Sequence, residues 1–221
     1  MRRSLVVIAE ENEAGKTSLL TALLRFMDAT TRPLYIRGIY ERFEYLTELD
    51  PANRYVLCNE ISAHLPTYLW GGGVRQLFEG LDRGFPMATT MHAGSGPAAL
   101  AMLQGYPLDV PPEHVAKLDV IVTLKQGMVD GNSVRRVIGI DRVVERRGQP
   151  AVQPLSVRDP LRSAPQMFSG RMLAALATWG EISDDEASRL LASQERFLTD
   201  CAAKHADDPD GFYKELERYR R

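Results

Sequence analysis

Glu-Glu-Asn-Glu-Ala-Gly-Lys-Thr, residues 10–17, is the stretch of sequence that decides the fold. It follows an apolar run at residues 5–9 and precedes an amphipathic run at residues 19–24, so it predicts a strand, a tight loop and a helix. The phosphate-loop pattern G-x-x-x-x-G-K-[ST] fits at every required place except the first, where Glu10 replaces glycine. The segment therefore predicts a nucleotide-binding loop at the start of a helix.

The residue types at the end of this loop indicate a role for each residue there. Backbone N–H groups around Ala14, Gly15 and Ser18, at the N-terminus of the helix, attract a triphosphate. Lys16 reaches the terminal phosphate oxygens, and the Thr17 hydroxyl can hold Mg2+. The pattern alone thus predicts a nucleotide bound with Mg2+, and it does not say which nucleotide.

The composition limits the partners of this protein. The 221 residues carry 27 basic and 29 acidic side chains, a formal net charge of -2, which disfavours nucleic acid as a partner. No apolar run is long enough to span a bilayer, and the apolar N-terminal run is too short for a signal peptide. Cys58 and Cys201 have no metal-ligand spacing, so we expect two buried thiols in a reducing cytosol.

Strands and helices alternate along the first two thirds of the chain. Several strand candidates are near-continuous apolar runs, as expected of strands that are covered on both faces in a mostly parallel sheet. Asp-Gly-Asn at residues 130–132 predicts a hairpin between the last two candidates, and such an antiparallel pair often closes the edge of the sheet. The pattern predicts an α/β fold. The strand candidates are residues 4–9, 33–39, 55–58, 87–91, 120–124 and 134–140.

The composition changes near residue 146. Residues 146–165 are rich in Arg, Gly, Gln, Pro and Ser and have little periodicity, so they predict a connector. Helical patterns follow, in which Ser183 and Glu186 form a capping box. The predicted organisation is a core with the phosphate loop over 1–145, the connector over 146–165, and a small helical C-terminal appendage over 166–221 with its last helix near 212–219.

Two predicted strands end in candidate catalytic side chains. The C-terminal ends of parallel strands line the ligand crevice, so Glu60, after the strand at residues 55–58, would face the phosphate loop. A carboxylate there can hold Mg2+ or polarise the attacking water, although a surface glutamate at a strand end is the alternative. His92 ends another strand, where its imidazole could donate to a γ-phosphate, although a lone histidine is more often structural.

Glu41 follows a third predicted strand and is a further candidate for contacting water or Mg2+. Taken alone, its segment is more typical of a solvated charged loop. The remaining histidines have no comparable placement, and we assign them to the surface or to loops. They are His64, His114 and His205.

In order, these segments resemble the motor domain of the ATPases that serve type II and type IV secretion, type IV pili, Tad pili and the archaeal flagellum. Lys16 and Thr17 fall on the Walker A Lys and Ser/Thr of that family. Residues 39–45 look like its Asp box, I-E-D-P-I-E-Y, with Glu41 at the Asp. Residues 59–61 look like its Walker B segment, G-E-I, and His92 falls in a match to its His box, T-T-L-H-A. The C-terminal helices are most like those of archaeal and Tad-type members.

The resemblance implies a RecA-like ATPase that drives conformational cycling in a secretion or pilus machine. It implies that Lys16 binds phosphates, that Thr17 and Glu60 manage Mg2+, and that Glu41 or Glu60 positions water while His92 senses the γ-phosphate. The implied assembly is a homo-oligomeric ring, expected to be a hexamer. It would be cytoplasmic and docked at the inner face of the membrane on a platform protein.

Departures from the family motivate a competing hypothesis. We expect the family's N-terminal domain to be missing, together with its site-completing arginines, so that a separate partner chain would supply them. Glu10, Glu11 and Glu13 stand where glycine, proline and glycine are usual. A carboxylate about 4 Å from a phosphate charge costs roughly 4 kcal/mol, or about a thousandfold in affinity. The alternative is a degenerate, non-hydrolysing member that serves such a machine as a structural or regulatory partner.

Overall fold

The structure is a computed structural model that describes residues 4–27, 30–157, 170–205 and 207–219. Its described residues form two compact units, one ending at residue 157 and one starting at residue 170. Among these residues, no helix combines the length and the apolar character that crossing a membrane requires.

A seven-stranded sheet forms the N-terminal unit. Its strands are β1 (Leu5–Ala9), β2 (Arg32–Tyr35), β3 (Arg54–Leu57), β4 (Met87–His92), β5 (Val120–Val129), β6 (Asn132–Arg146) and β7 (Gln149–Val157). The strand order is β2-β3-β4-β1-β5-β6-β7, parallel from β2 to β5 and antiparallel from β5 to β7. The predicted α/β class with a mostly parallel sheet is confirmed.

Helices cover both faces of this sheet. Along β1, Val6 and Ile8 belong to one buried cluster and Val7 and Ala9 to another, because successive side chains of a strand point to opposite faces. This two-sided burial explains why the strands are nearly continuous apolar runs. The helices described for this unit are α1 (Lys16–Leu24), α2 (Tyr45–Glu48), α3 (Gly72–Asp82), α4 (Gly96–Gln104) and α5 (Pro112–Val115), with a 3-10 turn at Gly38–Tyr40.

The hairpin predicted at residues 130–132 is confirmed. Asp130 and Gly131 have φ angles of 49° and 79°, and positive φ at both central residues is typical of a two-residue type I′ turn. The pair that it joins, β5 and β6, does not form the edge of the sheet, because β7 continues the sheet beyond β6.

Strand β7 lies inside the segment for which the sequence predicts a connector. A second two-residue turn, Arg147 and Gly148 with φ angles of 54° and 74°, leads from β6 into it. Pro150 and Pro154 obscure the strand pattern, since proline cannot donate to a strand ladder. Both prolines are tolerated because β7 is an edge strand. The part of the predicted connector after residue 157 lies outside the described residues.

Helices make up the described part of the C-terminal unit, as predicted. They are α6 (Gly170–Gly180), α7 (Asp184–Lys204) and α8 (Pro209–Tyr219). Ser183 caps α7, because its hydroxyl accepts a hydrogen bond from the Glu186 N–H at 3.2 Å. The Phe197 ring of α7 stacks on the Tyr219 ring of α8 with centroids 4.0 Å apart. The boundaries predicted at residues 145 and 165 stay a prediction.

Candidate functional site

The phosphate-loop segment ends at the N-terminus of α1, as the sequence predicts. Gly15 is the N-cap residue and has a φ of 92°, a left-handed conformation that glycine adopts without steric cost. No side chain caps this end of α1. The first turn of the helix leaves the N–H groups of residues 16–18 without an intrahelical acceptor, and the helix dipole adds positive potential there. Residues 15–18 therefore offer an anion-binding end.

Two glutamates of the loop have different surroundings. The Glu10 carboxylate lies against Gly94, such that a methyl group added to Gly94 would stand 3.3 Å from Glu10 Oε2. Glu13, which stands where the resemblance to secretion ATPases expects glycine, takes a left-handed conformation with a φ of 59°. That conformation costs about 1–2 kcal/mol for a residue with a side chain. The loop thus retains the glycine-like backbone shape at this position with a charged side chain on it.

Glu60 is held beside β4 by backbone hydrogen bonds. The Ile61 N–H donates to the Thr90 carbonyl at 2.8 Å, and the Thr90 hydroxyl donates to the Asn59 carbonyl at 2.8 Å. The same hydroxyl lies 3.5 Å from Glu60 Oε2. Glu60 is only 8% exposed, so its carboxylate is fixed at the C-terminal end of the sheet.

Three of the predicted side chains meet at this edge. His92 ends β4 and pairs with Ala9 at the end of β1, which places it beside the loop. Its Nε2 atom lies 3.3 Å from Lys16 Nζ and 3.4 Å from Glu60 Oε1. The imidazole therefore stands between an ammonium group and a carboxylate. Burial lowers the pKa of Lys16, while the charges of Glu60 and Glu11 act in the opposite direction.

These side chains line a cavity of about 680 Å³. This volume falls in the range of small-molecule and cofactor sites. The predicted residues that line it are Ala14, Gly15, Lys16, Thr17, Ser18, Glu60 and His92. Glu13 lines it too, whereas neither Glu10 nor Glu11 is among its described lining residues. Of the three loop glutamates, Glu13 is thus the one that borders the cavity.

Glu41 is not brought to this cavity. Its carboxylate accepts hydrogen bonds from the backbone N–H groups of Arg37, Arg42 and Phe43 at 3.0, 3.1 and 3.0 Å. Burial raises the pKa of Glu41, but these hydrogen bonds and the Arg37 guanidinium outweigh it, so the pKa lies below its usual value. The described contacts of Glu41 hold the turn that it closes. Its role at water or Mg2+ stays a prediction.

Arg135 lines the cavity and was not identified from the sequence. β1 pairs with β5 only as far as Thr123, and the β5–β6 ladder shifts register between Thr123 and Leu124. The hairpin therefore continues past the end of β1 and carries Arg135 over the loop. A methyl group added to Gly15 would stand 3.4 Å from Arg135 Cδ. The sequence holds no signal for this approach, because it depends on how far the hairpin extends beyond its neighbour.

The segment after Glu60 supplies a second group of unpredicted lining residues. The His64 ring lies edge-on to the His92 ring, with centroids 6.2 Å apart. The Ser62 hydroxyl is 2.7 Å from His64 Nδ1 and fixes that ring. His64 is an exposed loop residue, as its sequence assignment says, yet it lines the cavity. The other unpredicted lining residues are Asn12, Leu65 and Tyr68.

Comparisons with known proteins include a distant relative and partial structural matches. No family model matches the chain. The chain is 26% identical over 239 residues to an uncharacterized protein of Methanocaldococcus jannaschii, covering 97% of this chain and 87% of that protein. It is similar to the VirB11 ATPase of the Brucella suis type IV secretion system, with a TM-score of 0.47, 19% identity and coverage of 62% of this chain. It is also similar to the Legionella pneumophila ATPase DotB, with a TM-score of 0.39, 14% identity and coverage of 99% of this chain.

The chain spans 48% of the VirB11 structure and 61% of the DotB structure.

Proposed function

We propose that this chain binds ATP with Mg2+ in the 680 Å³ cavity and hydrolyses it as a motor subunit of a secretion or pilus-like machine. The observation that carries the proposal is the contact of His92 with both Lys16 and Glu60 at the N-terminus of α1. Lys16 provides an ammonium group for phosphate, His92 a hydrogen-bond donor, and Glu60 a carboxylate for metal or water. The order of the sequence motifs supports the secretion or pilus assignment.

Binding would use the loop and the start of α1. The free N–H groups of residues 16–18 and the Lys16 ammonium offer donors to the β- and γ-phosphates. The buried position of Lys16 strengthens its attraction for phosphate, because fewer water molecules screen the charge. Thr17 and Glu60 line the same cavity, and their oxygen atoms are the ligand type that Mg2+ prefers. Bound Mg2+ would neutralise charge on the phosphates.

Hydrolysis would proceed by attack of water on the γ-phosphorus, with cleavage of the bond to the β–γ bridging oxygen. Glu60 orients the water as an acceptor, and the proton passes to the carboxylate or to the released phosphate. His92 donates to a γ-phosphate oxygen. Arg135 brings a guanidinium to the cavity from the same chain, where it can stabilise charge on the transferred group.

Glu13 favours a second candidate function, that of a non-hydrolysing structural or regulatory partner. Its side chain lines the cavity on a left-handed backbone, and a carboxylate near the phosphates opposes binding. The motor proposal also includes three kinds of partner. They are further copies of this chain in a ring, a separate chain that supplies an N-terminal domain, and a membrane platform protein.

Calorimetric titration of the full chain with ATP and Mg2+ tests binding. We expect Lys16→Ala to weaken binding by at least about a hundredfold, a loss of about 2.7 kcal/mol. Lys117→Ala is the matched control, because Lys117 is a lysine of the same unit that pairs with Asp82 at 2.9 Å and does not line the cavity. Equal, negligible heats from the wild type and Lys16→Ala would overturn the motor proposal.

Phosphate release separates the two candidate functions. The motor proposal expects turnover by the wild type and binding without turnover by Glu60→Gln. Binding without turnover by the wild type itself would favour the regulatory candidate. Glu13→Gln then tests whether the charge of the loop weakens ATP binding, since this variant removes the carboxylate and keeps the size of the side chain. We expect it to tighten ATP binding.

A further inference from the structure

A second cluster of metal-ligating side chains lies in the C-terminal unit. The Cys201 thiol, a ring nitrogen of His205 and a carboxylate oxygen of Glu215 all lie within 4.8 Å of one another. We infer that these three residues form a zinc site that joins the end of α7 to α8. Thiolate, imidazole and carboxylate are the donors that Zn2+ takes in proteins. The spacing of Cys201 in the sequence did not predict this, because one ligand comes from the next helix.

The end of α7 presents two of the donors one helical turn apart. The His205 N–H donates to the Cys201 carbonyl at 3.0 Å, so the helical turn continues to the histidine. Residues four apart lie on the same face of a helix. Cys201 is buried, and its thiol points at the α8 backbone, donating to the Phe212 carbonyl at 3.8 Å. The thiol and the imidazole therefore both face α8.

The histidine is also oriented as a ligand would be. Its Nε2 atom lies 2.7 Å from Glu215 Oε2, while its Nδ1 atom lies 3.5 Å from Asp208 Oδ2. A carboxylate on the far nitrogen fixes the ring and its tautomer in many zinc sites. Asp208 is itself held, because its other oxygen accepts the Gly211 N–H at 2.9 Å at the start of α8. A metal ion at Nε2 would replace the contact of this atom with Glu215 Oε2, so that the imidazole and the carboxylate would both become ligands.

Lys204 is the competitor for this site. Its ammonium lies 2.7 Å from Glu215 Oε2, so a metal ion must displace it. The lysine side chain is 63% exposed, and exposed ion pairs contribute little to stability. The side chains of His205 and Glu215 are 14% and 31% exposed, so solvent reaches the cluster from one side. Water can thus supply a fourth ligand. Without metal, the same residues are only a polar contact between two helices.

Metal titration of the full chain tests the site. After treatment with a chelator, the protein is titrated with Zn2+ against a chromophoric competitor, and separately with Co2+. We expect one ion per chain and a thiolate-to-Co2+ absorption band that Cys201→Ser abolishes. Cys58→Ser is the matched control, because Cys58 is also a buried free thiol, and it should keep the band. His205→Ala and Glu215→Gln should each weaken Zn2+ binding at least about tenfold.

Lys204→Met separates a metal site from a polar contact. It removes the competing ammonium, so we expect Zn2+ to bind several-fold more tightly. Circular dichroism establishes that each variant is folded, and His205→Ala carries the test if Cys201→Ser is not. Absence of Zn2+ binding in the wild type would overturn the inference. So would a Co2+ complex without the thiolate band, or an affinity that Lys204→Met leaves unchanged.

Discussion

Among the described residues, lysine, histidine and glutamate meet at the sheet edge and again between α7 and α8. The two clusters differ in which residue is central and in how deeply they are buried. In the cluster at the sheet edge, the His92 ring contacts both Lys16 and Glu60. Lys16 is 6% exposed and Glu60 is 8% exposed. Because Lys16 is buried, little water screens its charge, and the N-terminus of α1 lies at the same place. This cluster is suited to an anion.

In the helical cluster, the carboxylate is central. Glu215 Oε2 lies 2.7 Å from both Lys204 Nζ and His205 Nε2. Its lysine extends into solvent, and the buried neighbour is the Cys201 thiol instead of a helix N-terminus. In the two proposals, the same three residue types take ligands of opposite charge. What decides between anion and cation is which group is desolvated and what else lies beside it.

Replacing each of the two histidines with alanine in turn is the strongest test of the difference between the two clusters. We expect His92→Ala to lower the rate of ATP hydrolysis by about a hundredfold, the loss typical of a removed transition-state donor. His205→Ala should leave that rate unchanged and lose Zn2+ affinity. The measurements are phosphate release and Zn2+ titration on both variants. A loss of hydrolysis in His205→Ala as large as in His92→Ala would show that the two clusters do not act independently.

Arg135 sharpens the comparison, because the anion cluster has a nearby guanidinium. We expect Arg135→Ala to weaken binding of ATP with Mg2+ about tenfold, since a hydrogen bond to a charged group contributes about 1.5–3 kcal/mol. Arg136→Ala is the matched control, because adjacent residues of a strand point to opposite faces. Calorimetry measures both. Equal losses would mean that the overall positive charge of the hairpin matters, and not the position of Arg135.

The sequence predicted that Lys16, Glu60 and His92 would lie at one edge of the sheet, because the position of each is set by local structure. Lys16 follows a strand–loop–helix pattern, while Glu60 and His92 follow apolar strands, and parallel strands end at one edge of the sheet. Nothing beyond fold class was needed to bring them together. Glu41 has the same kind of sequence position, but its oxygens are taken up by the backbone of its own turn.

The features that the sequence did not predict depend on distances between elements. Arg135 reaches the cavity because the β5–β6 hairpin is longer than β1, which no residue pattern encodes. The contact between His205 and Glu215 spans ten residues across a helix–turn–helix and depends on how α7 and α8 pack. Strand β7 was missed because its prolines hide the strand period, and only its place at the edge makes them acceptable.

The smallest expected effect is the change in the free energy of unfolding when Lys16 or Lys204 is replaced. Burial lowers the pKa of Lys16 below its ordinary 10.5, so the folded N-terminal unit has to keep a poorly solvated charge at neutral pH. We expect Lys16→Met to raise the free energy of unfolding by about 1 kcal/mol. Lys204→Met should change it by less than about 0.5 kcal/mol, as is usual for a surface substitution.

The pH dependence gives the sign of this effect an independent check. Between the lowered pKa of folded Lys16 and 10.5, the unfolded chain binds more protons, so wild-type stability rises with pH in that window. The advantage of Lys16→Met should therefore be full below the window and shrink toward pH 10.5. Urea unfolding can be followed in a Trp179→Phe background, where Trp70 reports on the unit that contains Lys16. A constant advantage across that range would mean that the charge of Lys16 is not what costs stability.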